Sequence, residues 1–172
     1  MNTFFSENLD YIFFLYGLSF VLLAAVAAAL GGWEKTLPWR WLAVFGVLHG
    51  LNEWLDLLAL GLGESSVFQG IRLAMLAVSF LALVEFGRRG MTGDGPRFGG
   101  WVWLALLGLL GLAALGGASG ETSGLNASCR YALGLSGGLL AAASLWRADG
   151  ATGEDRWYLR LAASSMLAYG LA

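Results

Sequence analysis

Six apolar runs recur along the chain, at about residues 9–31, 41–62, 67–87, 101–118, 125–146 and 157–172. Most approach or exceed the roughly 20 residues that a helix needs to cross about 30 Å of hydrocarbon. None alternates apolar and polar positions as a strand would. Inside lipid every backbone N–H and C=O must be satisfied within the protein. The fold expected is therefore all-α, a polytopic transmembrane helical bundle with six predicted spans, forming one domain over residues 1–172. Composition agrees. The chain is 58% hydrophobic and 13% charged, whereas a soluble domain carries about 25% charged residues.

Several function classes drop out. The net charge is -2 and no basic patch is present, so no nucleic-acid partner is expected. The single cysteine, Cys129, cannot form an internal disulfide. The small residues of "AAVAAALGG" imitate a signal-peptide cleavage point. However, residues 1–10 contain Glu7 and Asp10 with no Lys or Arg, so the first run reads as a retained span.

Orientation follows from the cations. Lys35 and Arg40, then Arg88, Arg89 and Arg97, then Arg147, Arg156 and Arg160 lie in or beside the first, third and fifth connectors. The second and fourth connectors and the N-terminal segment hold none. The positive-inside rule then places the odd connectors in the cytoplasm and the N-terminus outside, as in a multi-pass protein of a bacterial inner membrane. Trp33, Trp39, Trp41, Trp101, Trp103, Trp146 and Trp157 also sit beside the odd connectors, as an interfacial belt would; only Trp54 lies deep. The last run, "WYLRLAASSMLAYGLA", ends without a polar flank and reads as a span cut short. The simplest completion is a seven-helix, N-out/C-in module with a cytoplasmic segment beyond residue 172.

Against this background "VFGVLHGLNEWLDLLAL" stands out, because it places His49, Asn52, Glu53 and Asp56 inside an apolar helix. At about 100° per residue the four fall within roughly 100° of one another. A charge at a helix centre costs on the order of 2.5–3.5 kcal/mol on insertion scales, so this face must look into the bundle. Arg72 and Arg130, each near the predicted outer end of its own span, fall at the depth of Asp56. Gln69 and Ser79 share the Arg72 face, and Asn126 and Ser144 share the Arg130 face. The plain reading is an ion-pair cluster that holds helices in register. The functional reading is a site, since ionisable groups within a membrane span are functional candidates and the surplus imidazole suits an acceptor or a switch.

The chemistry open to such a cluster is limited. His49, Glu53 and Asp56 are spaced to converge on a metal, but one His with two carboxylates is sparse for zinc or copper, and two nearby arginines would repel a cation. A bis-His haem needs a second histidine. No HExxH, nucleophile elbow or phosphate loop is present, so no catalytic motif marks the chain as an enzyme. What remains is a lipophilic ligand with polar oxygens, such as a quinone. Its head would meet His49, Asn52, Glu53, Asp56, Arg72 and Arg130, and its apolar part would lie along Trp54 and Met75.

The run "WLAVFGVLHGLNEWLDLL", with "IRLAMLAVSFLALVEFG" and "CRYALGLSGGLLAA" after it, resembles the N-terminal multi-helix membrane module of certain bacterial sensor proteins. In those proteins the module precedes PAS, histidine kinase or diguanylate cyclase domains. The resemblance implies a sensory input domain in signal transduction, with PAS or kinase domains on the same chain beyond residue 172 and a homodimer as one mode of association. The chain itself contains no phosphoacceptor helix and no ATP-binding motif. Two other readings stay open: a transporter or membrane redox subunit using the same cluster as a proton or substrate path, and a metal-binding sensor.

Overall fold

The computed structural model describes residues 8–63, 65–92, 103, 122–148 and 153–171. Among them every regular element is helical. Helix α1 spans Leu9–Trp33, α2 Trp39–Leu62 and α3 Ser66–Thr92. Helix α4 covers Thr122–Cys129 and passes through a π-helical turn, Arg130–Leu135, into α5, Ser136–Arg147; α6 covers Gly153–Leu171.

The first three helices, of 25, 24 and 27 residues, are each long and apolar enough to cross a membrane. They correspond to the first three expected runs. The expected span at 101–118 lies outside the described residues apart from Trp103. The run expected at 125–146 is helical from 122 to 147, with right-handed backbone at Cys129, Leu135 and Ser136, so the π turn widens the helix without breaking it. The last helix starts earlier than expected. It is only 19 residues long and opens with Glu154, Asp155 and Arg156, and it does not reach the apolarity of α1–α3.

Local chemistry sets the boundaries. After Gly31 and Gly32, Glu34 turns extended while its N–H still bonds the Leu30 carbonyl at 2.8 Å. Pro38, which has no N–H to lose, precedes α2. Gly63 ends α2 at φ 78°, a left-handed conformation that glycine adopts without penalty.

The helices pack in the order α1 on α2, α2 on α3, α3 on α5 and α5 on α6. Glycine permits the closest approaches. A methyl group on Gly46 would stand 2.6 Å from the Phe20 carbonyl oxygen, and one on Gly87 would stand 2.5 Å from the Leu140 backbone. Between them lies a core that includes Phe20, Phe45, Leu76, Phe80 and Leu133. The polar face of α2 is turned into this core. His49, Asn52, Glu53 and Asp56 are buried, while Val44, Val47, Leu51 and Leu58 are exposed. Inward-facing polarity suits a helix long and apolar enough to cross a membrane.

Candidate ligand site

His49 is the centre of the arrangement. It is fully buried and ringed by Phe20 of α1 at 4.5 Å, Phe45 of α2 at 5.2 Å, Phe80 of α3 at 5.2 Å and Tyr169 of α6 at 5.8 Å between centroids. Both ring nitrogens are engaged. Nδ1 stands 3.0 Å from Ser79 Oγ, and Nε2 stands 2.9 Å from the Tyr169 hydroxyl. Ser79 Oγ in turn donates to the Leu76 carbonyl at 2.7 Å. One imidazole thus ties α2 to α3 and α6.

Glu53, one turn along α2, brings Oε1 to 3.6 Å from His49 Nε2. That is beyond hydrogen-bond range. Among the described residues this buried oxygen has no hydrogen-bond partner, and neither has Asn52 Oδ1. Buried polar atoms are normally satisfied, so two on adjacent residues call for a donor from elsewhere.

Asp56 chooses between the two candidate arginines. Arg72 Nε donates to Asp56 Oδ1 at 2.5 Å, and a second guanidinium nitrogen reaches the same oxygen. Arg130 does not share in this pair. Its Nε bonds Asn126 Oδ1 at 2.9 Å on its own helix, and its side chain is exposed. It nevertheless lies within electrostatic reach of His49, Glu53 and Tyr169. A π turn starts at Arg130. Such turns widen a helix locally and are frequent at functional sites.

A cavity of about 340 Å³ opens beside this turn, lined by Tyr16, Phe80, Arg130, Tyr131, Gly134 and Tyr169 among others. That volume lies at the small end of the range for small-molecule sites, and the lining combines aromatic walls with few polar groups. A cation and three phenols provide its polarity. Tyr169 belongs both to the cavity and to the bonded chain through His49. Tyr16 and Tyr169 did not figure in the sequence reading, because a tyrosine in an apolar span reads as belt or filler. The polar break at "AYG" in the last run was the only trace.

Other expected members lie elsewhere. Trp54 turns to α1, where its indole N–H donates to the Phe14 carbonyl at 3.3 Å and its ring stacks on Phe14. It therefore walls no site around His49. Met75 is half-buried on α3, one turn from Ser79. Ser144, which shares the Arg130 face by helix period, is buried near the C-terminal end of α5, where it bonds the Ala141 carbonyl and faces Gly90. With Asp56 held by Arg72 and both His49 nitrogens occupied, no His, Cys, Asp and Glu trio converges among the described residues.

Comparison with protein-family models, with curated proteins and with solved structures gives no match.

Proposed function

We propose that the chain is a membrane-embedded sensory input domain that detects a lipophilic ring compound of the quinone class. The observation that carries this reading is the cavity beside the π turn. Its wall residue Tyr169 is hydrogen-bonded to the buried His49, so occupancy of the cavity is linked to contacts between α2, α3 and α6. The Arg130 guanidinium donates to a ligand oxygen, and Tyr16, Phe80 and Tyr131 flank the ring. A ligand that favours one arrangement of these helices shifts the bundle between two states by its difference in affinity for them. The reading includes six spans, an outside N-terminus and a bacterial inner membrane, all drawn from the Lys and Arg distribution. It also includes cytoplasmic signalling domains after residue 172, as in the sensor proteins that the sequence resembles.

The transporter reading is weaker on one specific point. The bonded chain Tyr169–His49–Ser79 ends on the Leu76 carbonyl, and a backbone carbonyl has no proton to pass on.

The test is to purify the protein from native-like membranes, extract it with organic solvent and identify the lipids by mass spectrometry. Near-stoichiometric quinone is expected, with most of it lost on Arg130→Ala, a change at an exposed residue that leaves the core intact. No enrichment over bulk membrane lipid would overturn the proposal.

A further inference from the structure

We infer that the cavity selects the reduced, hydroxyl-bearing form of its ring ligand over the oxidised, carbonyl-bearing form. This rests on the quinone-class reading above and names which member of the redox pair the site holds.

The inference comes from following each proton along the buried chain. Ser79 has one hydroxyl proton, and it is directed to the Leu76 carbonyl at 2.7 Å. Toward His49, 3.0 Å away, Ser79 Oγ therefore acts as an acceptor, which places the imidazole proton on Nδ1. A neutral imidazole has one N–H, so Nε2 carries a lone pair. The neutral form suits a ring fully enclosed by Phe20, Phe45, Phe80 and Tyr169, with the nearest carboxylate oxygen too far away to bond it. Nε2 then accepts from Tyr169, 2.9 Å away, and this uses the one proton of the phenol. What Tyr169 has left for the cavity is lone pairs.

Every link points the same way: Tyr169 to His49, His49 to Ser79, Ser79 to Leu76. The chain ends on an atom that only accepts, so its direction is fixed by the α3 backbone. A ligand hydroxyl beside Tyr169 completes the pattern by donating to it. A ligand carbonyl in the same place sets two acceptors against each other. Glu53 Oε1, buried 3.6 Å from Nε2 and without a donor among the described residues, adds a second acceptor to this region. Arg130 serves either form, because phenolic and carbonyl oxygens both accept from a guanidinium.

Two measurements test this. His49 is the only histidine, so protein labelled with 15N-histidine gives one pair of ring nitrogen resonances. Those are expected to report a protonated Nδ1 and a bare Nε2, and the opposite tautomer would overturn the inference. Affinities of a short-chain ubiquinol and the matching ubiquinone are then compared anaerobically, using the full protein in bilayer discs and subtracting empty discs. The diol is expected to bind about tenfold tighter, the scale of one net hydrogen bond. In Ser79→Ala, whose altered side chain is not part of the cavity wall, Nδ1 loses its acceptor and the ratio is expected to fall to about one or invert. Equal affinities in the unaltered protein, or tighter binding of the quinone, would overturn the selectivity while leaving the ligand class standing. If neither compound binds above empty discs, the ligand class fails and the selectivity with it. The tautomer and the unaltered protein's affinities decide the matter even if Ser79→Ala does not fold.

Discussion

Helix α3 takes part in two polar clusters that solve the same problem differently. At its C-terminal end Glu85 accepts from Arg88 Nε and Nη2, both at 2.7 Å, and from Arg89 Nε. All three donors lie within one turn of the acceptor. The guanidinium of Arg89 also lies over the Trp41 ring, at 5.3 Å. Nearer the other end, Arg72 and Ser79 reach across to α2, and the His49 chain continues to α6. The first cluster is local and its carboxylate is closed, since both Glu85 oxygens are occupied; the buried polar atom beside it that has no partner among the described residues is the Trp41 indole nitrogen. The second is assembled from separate helices and leaves Glu53 Oε1 and Asn52 Oδ1 without donors among the described residues. A closed local cluster anchors a helix end at an interface. An open cluster is held together by bonds between separate helices, so its geometry depends on how those helices pack.

The contrast breaks most sharply at Asp56. Arg72→Leu removes the guanidinium that pairs with the buried Asp56 carboxylate, and loss of one partner of a buried pair costs roughly 3–5 kcal/mol. Arg130→Leu removes only an exposed side chain bonded to Asn126 and is expected to cost less than about 1 kcal/mol. Asp56→Asn should recover much of the loss in Arg72→Leu and none in Arg130→Leu. Denaturant unfolding in mixed micelles measures all four variants. Equal losses for the two arginine variants would show that Asp56 is shared between them.

Packing sharpens the same comparison at smaller magnitude. At the closed end a methyl group on Gly87 would meet the Leu140 and Ala141 backbone at 2.5–2.6 Å, and backbone has little room to give. Beside the cavity the three atoms nearest to a methyl group on Gly134 would all belong to the Phe80 ring, at 3.0–3.4 Å, and that ring can tilt. Gly87→Ala is therefore expected to lower stability by about 1–3 kcal/mol, the usual cost of overpacking. Gly134→Ala should cost a fraction of that while reducing ligand capacity. Comparable losses would mean that the cavity end is as rigid as the other.

What could be read from the sequence follows from the range of the forces involved. Three long apolar helices and the inward face of His49, Asn52, Glu53 and Asp56 were legible because helix period and lipid exclusion act on a single segment. Counting residues from helix ends put Arg72 and Arg130 at one depth, but depth alone does not say which of them reaches Asp56. That depends on the contact between α2 and α3, which joins separate segments of the chain. The packing of Trp54 on Phe14 of α1 was not legible, because it depends on which helix lies beside that side of α2. Tyr169 was invisible as a partner of His49, since their contact joins residues 120 positions apart.

The smallest expected effect lies in the connector between α1 and α2, which belongs to the closed end, where Trp39 packs against Phe86 of α3. Partial burial would push the Glu34 carboxyl up, but the bonds it accepts from Thr36 and from the Trp39 indole outweigh that and hold it below the usual carboxylate value. A carboxyl depressed in the folded state contributes stability that is fully present above its unfolded value of about 4.3. That contribution is lost as pH falls through the lower folded value. Solvent screens this partly exposed group, so the Trp39 indole N–H resonance is a better readout than unfolding. On acidification it is expected to shift with a midpoint below the ordinary glutamate value, and the shift should vanish in Glu34→Gln. The resonances of His49 should stay unchanged through the Glu34 transition, because the local cluster closes on itself and has no bonded route to the chain through Tyr169 and Ser79. A midpoint at or above the ordinary value would show that burial dominates at Glu34. A matching response at His49 would show that the two ends are coupled after all.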